Sequence, residues 1–523
     1  MTKNDMQTEF KILPNVYRDS VALMQISSKL CALPGIIQAS AIMATEANID
    51  LLLEAGLIEK AVPAQPNNLL ITIQGDNANS VEAALGEAEA SIEGEKLSPA
   101  SGEDEAFAPC NIEMALDELP DAQLALISCP GEYAGAEAEK ALRLGLDVMI
   151  FSDNVSVEDE VALKQLAADT DRLVMGPDCG TAIMNGIPLG FANVVSHGDI
   201  GIVAASGTGL QQVSCLVDSL GGGISQALGT GGRDLSAEVG GRSMIKGLNL
   251  LADDETTAVI VLISKPPAQE VAEKVLAVAA ACGKPVVVNF LGAEPDSMRR
   301  ENTYPAVTLE HAAHIAVELS KGNKALSNDL SRHGLGEPEI KELVSPLSDS
   351  QKFVRGLYSG GTFSYEAMLL LESEIGPVNS ASPLTPAHKL NDIWSSTGNT
   401  VLDLGDDNFT RGRPHPMIDH RLRHDRILQE AKDPETAVIL FDVVTGYGSH
   451  PDPAGEMAAS ISAAANGAYS PIFVGFVCGT NADPQNRSDQ EKKLRDAGAV
   501  VVSNNAQAVR LTGDFIAKLG DGK

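Results

Sequence analysis

At 523 residues the chain is too long for one hydrophobic core, and three or four domains of ~100 to 200 residues are expected. A formal charge of −33, scattered through helical stretches rather than gathered in a tail, argues against a nucleic-acid partner and requires local positive potential wherever an anionic substrate binds. Seven widely spaced cysteines with no CxxC pair and no Cys/His cluster argue against disulfides and structural zinc, and the lack of any apolar run of about 18 residues or an apolar amino-terminal stretch points to the cytoplasm.

Residues 1–95 alternate short apolar runs with helix patterns, as in FKILPNV, RDSVALMQISSKL, GIIQASAIMA and NNLLITIQ, and predict a small α+β unit of ferredoxin-like or ACT-like type. The polar, acidic stretch 93–109 is a linker. From Gln123 the rhythm becomes strand, turn, helix, which predicts a Rossmann-like domain over 110–196 with parallel strands. Ligands of such sheets lie at the carboxyl ends of the strands, so Pro130, Gly131 and Glu132, Ser152 and Asp153, and Gly176, Pro177 and Asp178 are candidate cofactor-binding residues or, alternatively, plain strand-ending turns. Cys179 follows as a candidate nucleophile without a nearby histidine, and an inert thiol is the preferred reading.

An ordered repeat starts at Gly201. GIVAASGTGLQQVSCLVDSLG (201–221) aligns with GLYSGGTFSYEAMLLLESEIG (356–376), GTGGRDLS with LDLGDDNFTRG, and ETTAVIVLISKPP with ETAVILFDVVTGYG. Two copies of one α/β domain, 197–320 and 354–520, explain it economically.

In both copies a strand runs into a Ser-Gly turn and then a helix, whose first N–H groups and positive dipole end suit an oxyanion. Ser206, Gly207, Thr208 and Gly209 form one such turn, Ser359 with Gly360, Gly361 and Thr362 a second, and Gly446, Tyr447 and Gly448 a third. Simple helix capping is the alternative for each. The densest polar segment, LGDDNFTRGRPHPMIDHRLR, offers Arg411, Arg413 and His415 as candidate catalytic groups; Arg233 takes the matching place in the first copy. His311 and His314 lie three apart on an amphipathic helix and are expected to be solvated.

The run ALISCPGEYAGAEAEKALRLGLDVMIFSDNVSVEDE with VMGPDCGT is similar to the succinyl-CoA synthetase α chain from its CoA-binding domain into its ligase domain, and GIVAASGTGLQ is similar to that chain's Ser-Gly-Thr turn. GLYSGGTFSYEAMLLLE through LDLGDD to VVTGYG is similar to the ligase domain of the β chain. From KILPNVYRDSVALMQISSKL to GRPHPMID, nearly its full length, the chain resembles the FdrA branch of this superfamily.

The resemblance implies a multi-domain α/β fold: the amino-terminal unit, a CoA-binding-like Rossmann domain at 110–196, and flavodoxin-like α ligase-like (197–320) and β ligase-like (354–520) domains. It implies a subunit of an oxamate carbamoyltransferase of anaerobic allantoin and purine breakdown, a transferase turning oxalurate and phosphate into oxamate and carbamoyl phosphate. Ser206, Gly207 and Thr208 would then face Gly446, Tyr447 and Gly448 across the phosphate. An acyl-CoA synthetase of the succinyl-CoA ligase type, or a regulatory or scaffold subunit, is the alternative. The chain departs from the synthetases in three ways: no ATP-grasp domain precedes the β-like copy, no phosphohistidine follows Arg299-Arg300, and the amino-terminal CoA glycine loop is replaced. Phosphate is therefore the expected co-substrate, CoA and nucleotide are unsupported, and assembly with itself and with other subunits is expected.

Overall fold

The computed structural model describes residues 6–58, 60, 62–94, 109–323, 333–410, 414–465 and 467–520. They form two compact units, one of Met1–Ser156 with Asp406–Asp419, the other of Val157–Gly405 with His420–Lys523.

The first unit opens with β1 (Gln7–Leu13), β2 (Ile36–Met43) and β3 (Leu69–Gly75), antiparallel in the order β1-β3-β2. Period-two alternation in LLITIQG decides which side each residue serves. Leu69, Ile71 and Ile73 pack with Leu23, Ile26 and Leu30 of the helix Ser20–Cys31 and with Val81, Ala84 and Ala88 of the helix Ala78–Gly94, whereas Leu70 packs on the opposite side with Leu52 and Leu57. The order β1-β3-β2 is that of the first three strands of a ferredoxin-like unit, with the helix Glu46–Glu54 in place of the hairpin between β2 and β3 and no fourth strand in this sheet among the described residues. Farther on, β4 (Leu124–Ile127) and β5 (Asp147–Ile150) pair in parallel, joined through the helix Gly131–Arg143. That helix buries Ala134, Ala138 and Ala141, small residues spaced three and four apart, so it lies close.

The second unit begins with the helix Val157–Asp169 and the two-residue strand β6 (Val174–Met175). A tight hairpin follows, β7 (Thr181–Met184) and β8 (Ile187–Gly190), turned by Asn185 and Gly186 at φ 51 and 76, where asparagine and glycine are the favoured residues. Two sheets come next. The first contains β9 (His197–Ala204), β10 (Ile224–Gly229), β11 (Val259–Ser264), β12 (Val286–Phe290) and β13 (Thr303–Pro305) in the order β13-β12-β11-β9-β10, with the β7–β8 hairpin added antiparallel beside β10. The second contains β14 (Phe353–Tyr358), β15 (Thr400–Asp403), β16 (Thr436–Val444), β17 (Ile472–Cys478) and β18 (Val500–Val502) in the order β15-β14-β16-β17-β18.

Counted from β9 and from β14, both parallel cores run 2-1-3-4-5, the flavodoxin-like order. The ordered sequence repeat therefore corresponds to one topology used twice. Every residue of β11 and of β16 is buried, as expected for parallel strands covered by helices on both faces. Within the expected span 110–196, β4 and β5 belong to the first unit, and β7 and β8 extend the first flavodoxin-like sheet. Strand-turn-helix rhythm cannot reveal this, because a hairpin added to a sheet edge is a long-range pairing.

Burial and the nearby Asp514 push the Glu374 carboxyl, on the helix Gly361–Ile375, up to about 7 against the opposing pull of Arg510. A raised carboxyl pKa means stability that is present at low pH and lost as the pH climbs from about 4.5 through about 7. Glu374→Gln is expected to raise the melting temperature at about pH 8 and to leave it unchanged at about pH 4, as read by thermal unfolding at the two values.

Candidate functional site

The helix Gly207–Ser219 starts where β9 ends, with Ser206 as its N-cap: the Ser206 hydroxyl accepts the Gly209 N–H at 2.9 Å. The helix Gly361–Ile375 starts at the equivalent place beyond β14, with Gly360 at the N-cap and no side-chain cap. The two starts meet, because Ser206 Oγ and Thr362 Oγ1 are hydrogen-bonded at 2.5 Å. Two positive dipole ends and their first N–H groups thus converge at the carboxyl ends of equivalent strands.

The glycines at this junction differ in what they are for. A Cβ on Gly360 would lie 2.9 Å from Thr208 Cγ2, one on Gly209 would lie 2.5 Å from the Ser206 hydroxyl, and one on Gly361 would lie 2.6 Å from Asp403 Oδ2. Packing accounts for Gly209 and Gly360, whereas at Gly361 the Cβ would meet only the ends of two side chains, the Asp403 carboxylate and the Lys265 ammonium. A Cβ on Gly207 would meet only Thr181 Oγ1, at 3.5 Å, so the first turn of that helix is open. Lys265, exposed beyond the end of β11, brings its ammonium within 3.5 Å of that same Cβ position on Gly361 and within 5.8 Å of the Tyr365 ring centre. The Asp403 carboxylate stands beside the same position, at 2.6 Å, and sequence reasoning missed Lys265 although SKPP aligned with the end of a repeated strand.

The third turn is built for another purpose. The Gly446 N–H donates to Gln485 Oε1 at 3.0 Å, its carbonyl accepts from Gln485 Nε2 at 3.0 Å, and the Tyr447 N–H donates to the Ala192 carbonyl at 2.9 Å. Gly446 has φ 104 with Ala192 O at 2.6 Å from its Cβ position, and Gly448 has φ 80 with the Phe191 ring at 2.7 Å. The N–H groups of Gly446 and Tyr447 are taken up by the protein, and the glycines admit the 191–194 segment. Asn193 fixes that segment, donating to the Thr445 carbonyl at 3.0 Å and to Asp483 at 2.8 Å.

Arg233 pairs with Glu160 at 2.9 Å, and Asp234 beside it is buried, bonded to Lys164 and to the Ser243 and Met244 N–H groups at the start of the helix Arg242–Asp253. These residues staple the second unit internally. Arg411 and Arg413 lie outside the described residues. His415 Nδ1 accepts the Met417 N–H at 3.2 Å in the first unit.

Pro130, Gly131 and Glu132 start the helix Gly131–Arg143, and a Cβ on Gly131 would collide with the Asp153 and Asn154 backbone. Ser152 donates to the Cys129 carbonyl, so these two strand ends are tied together. Burial, followed by Asp407, pushes the Asp153 carboxyl up. Gly176, Pro177 and Asp178 belong to the other unit, where Gly231 packs on the Gly176–Pro177 backbone. Cys179 is buried with its thiol pushed up to about 12, which makes it inert. His311 is not solvated as expected: it is buried, and burial holds its pKa down.

Three family models match: a CoA-ligase model over residues 357–515, a CoA binding domain over 195–292, and the AllF heavy metal-associated domain over 6–109. The CoA-binding match thus falls on the first flavodoxin-like domain, not on 110–196. The chain is 44% identical over 519 residues to the protein YahF of Escherichia coli (strain K12), covering 98% of this chain and 99% of YahF. This chain belongs to the YahF family. It is also 27% identical over 238 residues to a succinate–CoA ligase [ADP-forming] subunit alpha 2 of Archaeoglobus fulgidus, covering 43% of this chain and 77% of that protein.

Among solved structures, the dinucleotide-forming acetyl-coenzyme A synthetase 1 of Ca. Korarchaeum cryptofilum, in complex with phosphate and ADP, is 14% identical with a TM-score of 0.28, over 76% of this chain and 83% of that one. ATP citrate lyase from Methanothrix soehngenii, in complex with citrate and coenzyme A, is 14% identical with a TM-score of 0.35, over 46% of each chain. The expected transferase class is corrected by the family model over 357–515, which is a CoA-ligase model, and by the relative of named activity, which is a succinate–CoA ligase subunit; neither is a carbamoyltransferase. Nothing in the matches names the FdrA branch; what they support for this YahF-family chain is the succinyl-CoA synthetase superfamily.

The heavy metal implied by the amino-terminal match does not fit the residues present. A soft metal takes thiolates, and the one cysteine of residues 6–109, Cys31, is buried with its sulfur accepting the Ala39 N–H at 3.0 Å. Among the described residues no group of three or more His, Cys, Asp or Glu is placed to hold a metal, and no helix is long and apolar enough to cross a membrane.

Proposed function

We propose that this chain carries acyl-CoA synthetase-like chemistry of the succinate–CoA ligase type, with phosphate or the phosphate of an acyl phosphate held at Gly207. The observation that carries this reading is the open first turn at Gly207, beside Gly209 and Gly360, for which packing accounts. The helix start supplies the Gly207 and Thr208 N–H groups, the Ser206–Thr362 hydroxyl pair fixes the second helix start opposite it, and Lys265 brings a cation to the Gly361 turn, beside the Asp403 carboxylate. Preorganised donors of this kind stabilise charge that builds up on phosphate oxygens. CoA, implied by the family model over 195–292, would be the leaving thiol of that chemistry. The succinate–CoA ligase relative is named as a subunit, and we extend the proposal to a chain that works within an oligomeric assembly.

The reaction to test is phosphorolysis of an acyl-CoA: the acyl carbon exchanges its bond to sulfur for one to a phosphate oxygen, and CoA leaves as the thiol. Acetyl-, propionyl- and succinyl-CoA would be incubated with the full chain, with and without phosphate, and free thiol followed. Phosphate-dependent thiol release from at least one, reduced by roughly tenfold or more in Gly207→Val, is the expected result. No phosphate-dependent release from any of the three contradicts the proposal.

A further inference from the structure

A second group of polar side chains sits inside the carboxyl-ligase half of the molecule and takes no part in the Gly207 opening. Arg423, on the helix Arg421–Glu430, is fully buried. Its Nη2 donates to the Asp442 carbonyl at 2.7 Å, to Asp442 Oδ1 at 3.0 Å and to the Leu357 carbonyl at 3.1 Å, while its buried Nε and Nη1 have no hydrogen-bond partner. His420, three residues earlier at the N-cap position, is 5% exposed, and both of its ring nitrogens are likewise without a partner. Spacing of three puts the two on one side of the helix. The His450 ring stands edge-on to that of His420 at 5.4 Å.

Asp442 cannot serve the remaining donors, since its carboxylate already takes the Ser359 N–H at 2.8 Å, the Ser359 hydroxyl at 2.7 Å and Arg423. Buried polar atoms in native proteins are nearly all paired, so four orphans on two adjacent buried side chains are a concentrated exception. Burial, then Arg423 and His450, hold the His420 pKa well below its ordinary value, so the ring is neutral and offers one donor and one acceptor. Arg423 adds the hydrogens of Nε and Nη1 and a positive charge beyond what Asp442 engages through Nη2.

We propose that His420 and Arg423 bind a small oxyanion, a carboxylate or a phosphate, in the interior of the second flavodoxin-like domain at the carboxyl ends of β14 and β16. The arginine hydrogens point to acceptor oxygens, and the acceptor nitrogen of His420 suits a ligand that also carries a hydroxyl, as hydrogen phosphate does. Through Asp442 and Ser359 the site adjoins the Gly360–Thr362 turn, but its groups are separate from those at Gly207.

Calorimetric titration of the full chain with inorganic phosphate, and separately with acetate, tests this. Removing Arg423 would also strip Asp442, so His420→Phe is the variant of choice, with Gly207→Val and the double variant beside it. The expected result is a binding event, with one or both probes, that survives in Gly207→Val and is lost in His420→Phe and in the double variant. Loss with phosphate only, or acetate only, assigns the ligand class. Binding of both probes unchanged in a folded His420→Phe, or no event beyond one removed by Gly207→Val, overturns the proposal. Loss of the His420-dependent event alone would leave the Gly207 reading standing, and the converse holds equally.

Discussion

Asp442→Leu is expected to destabilise the protein by about 3–5 kcal/mol, the usual cost of removing one partner from a buried ion pair. Asp442 stands in the fully buried strand β16, and its carboxylate holds the Ser359 N–H, the Ser359 hydroxyl and Arg423 at once. Leucine fills much of the volume, so packing is not the issue. It leaves a guanidinium without its counter-charge and orphans an N–H at the strand end that leads into the Gly360–Thr362 turn. Asp442→Asn keeps the shape and an acceptor, and should cost less than half as much. Urea unfolding midpoints of the three proteins decide it, and a loss below about 1 kcal/mol for leucine would show that the pair contributes little.

Gly446→Val should be almost as damaging. A φ of 104 is strained for any residue with a Cβ, and the nearest atom to that Cβ would be the Ala192 carbonyl oxygen at 2.6 Å. The turn has no freedom to withdraw, since Gln485 holds both the N–H and the carbonyl of Gly446 while Ala192 holds Tyr447. Strain and overpacking each contribute about 1–3 kcal/mol, so a loss of roughly 3 kcal/mol or more is expected in the same unfolding experiment. A variant of unchanged stability would mean that this turn is not the packing device described here.

These two residues also show what a sequence can and cannot disclose. The two flavodoxin-like domains were legible, because βα units with glycine turns leave a strong local pattern and the same order of segments occurs twice. Turns of similar composition turned out to do different work. Gly207 and Gly446 both follow buried strands, yet only the chain segments opposite them, Thr181 in one case and Ala192 in the other, make one open and the other closed. Those neighbours are distant in sequence. Asp442 is a lone acid inside AVILFDVV, with the arginine-rich RLRHDR upstream to offer its partner, whereas Arg411, Arg413 and His415 stand out only by the polarity of the stretch before it. A single charge in an otherwise apolar strand was the better signal, since burial must pair it.

Titrating phosphate into the wild-type chain and into Gly207→Val tests the central claim most directly. A Cβ there would meet only Thr181 Oγ1 at contact distance, and the backbone angle of Gly207 is not in the left-handed region, so the fold should persist. The account predicts an unfolding midpoint close to that of the wild type together with loss of one phosphate-binding event. Unchanged phosphate binding in a folded Gly207→Val protein would contradict it.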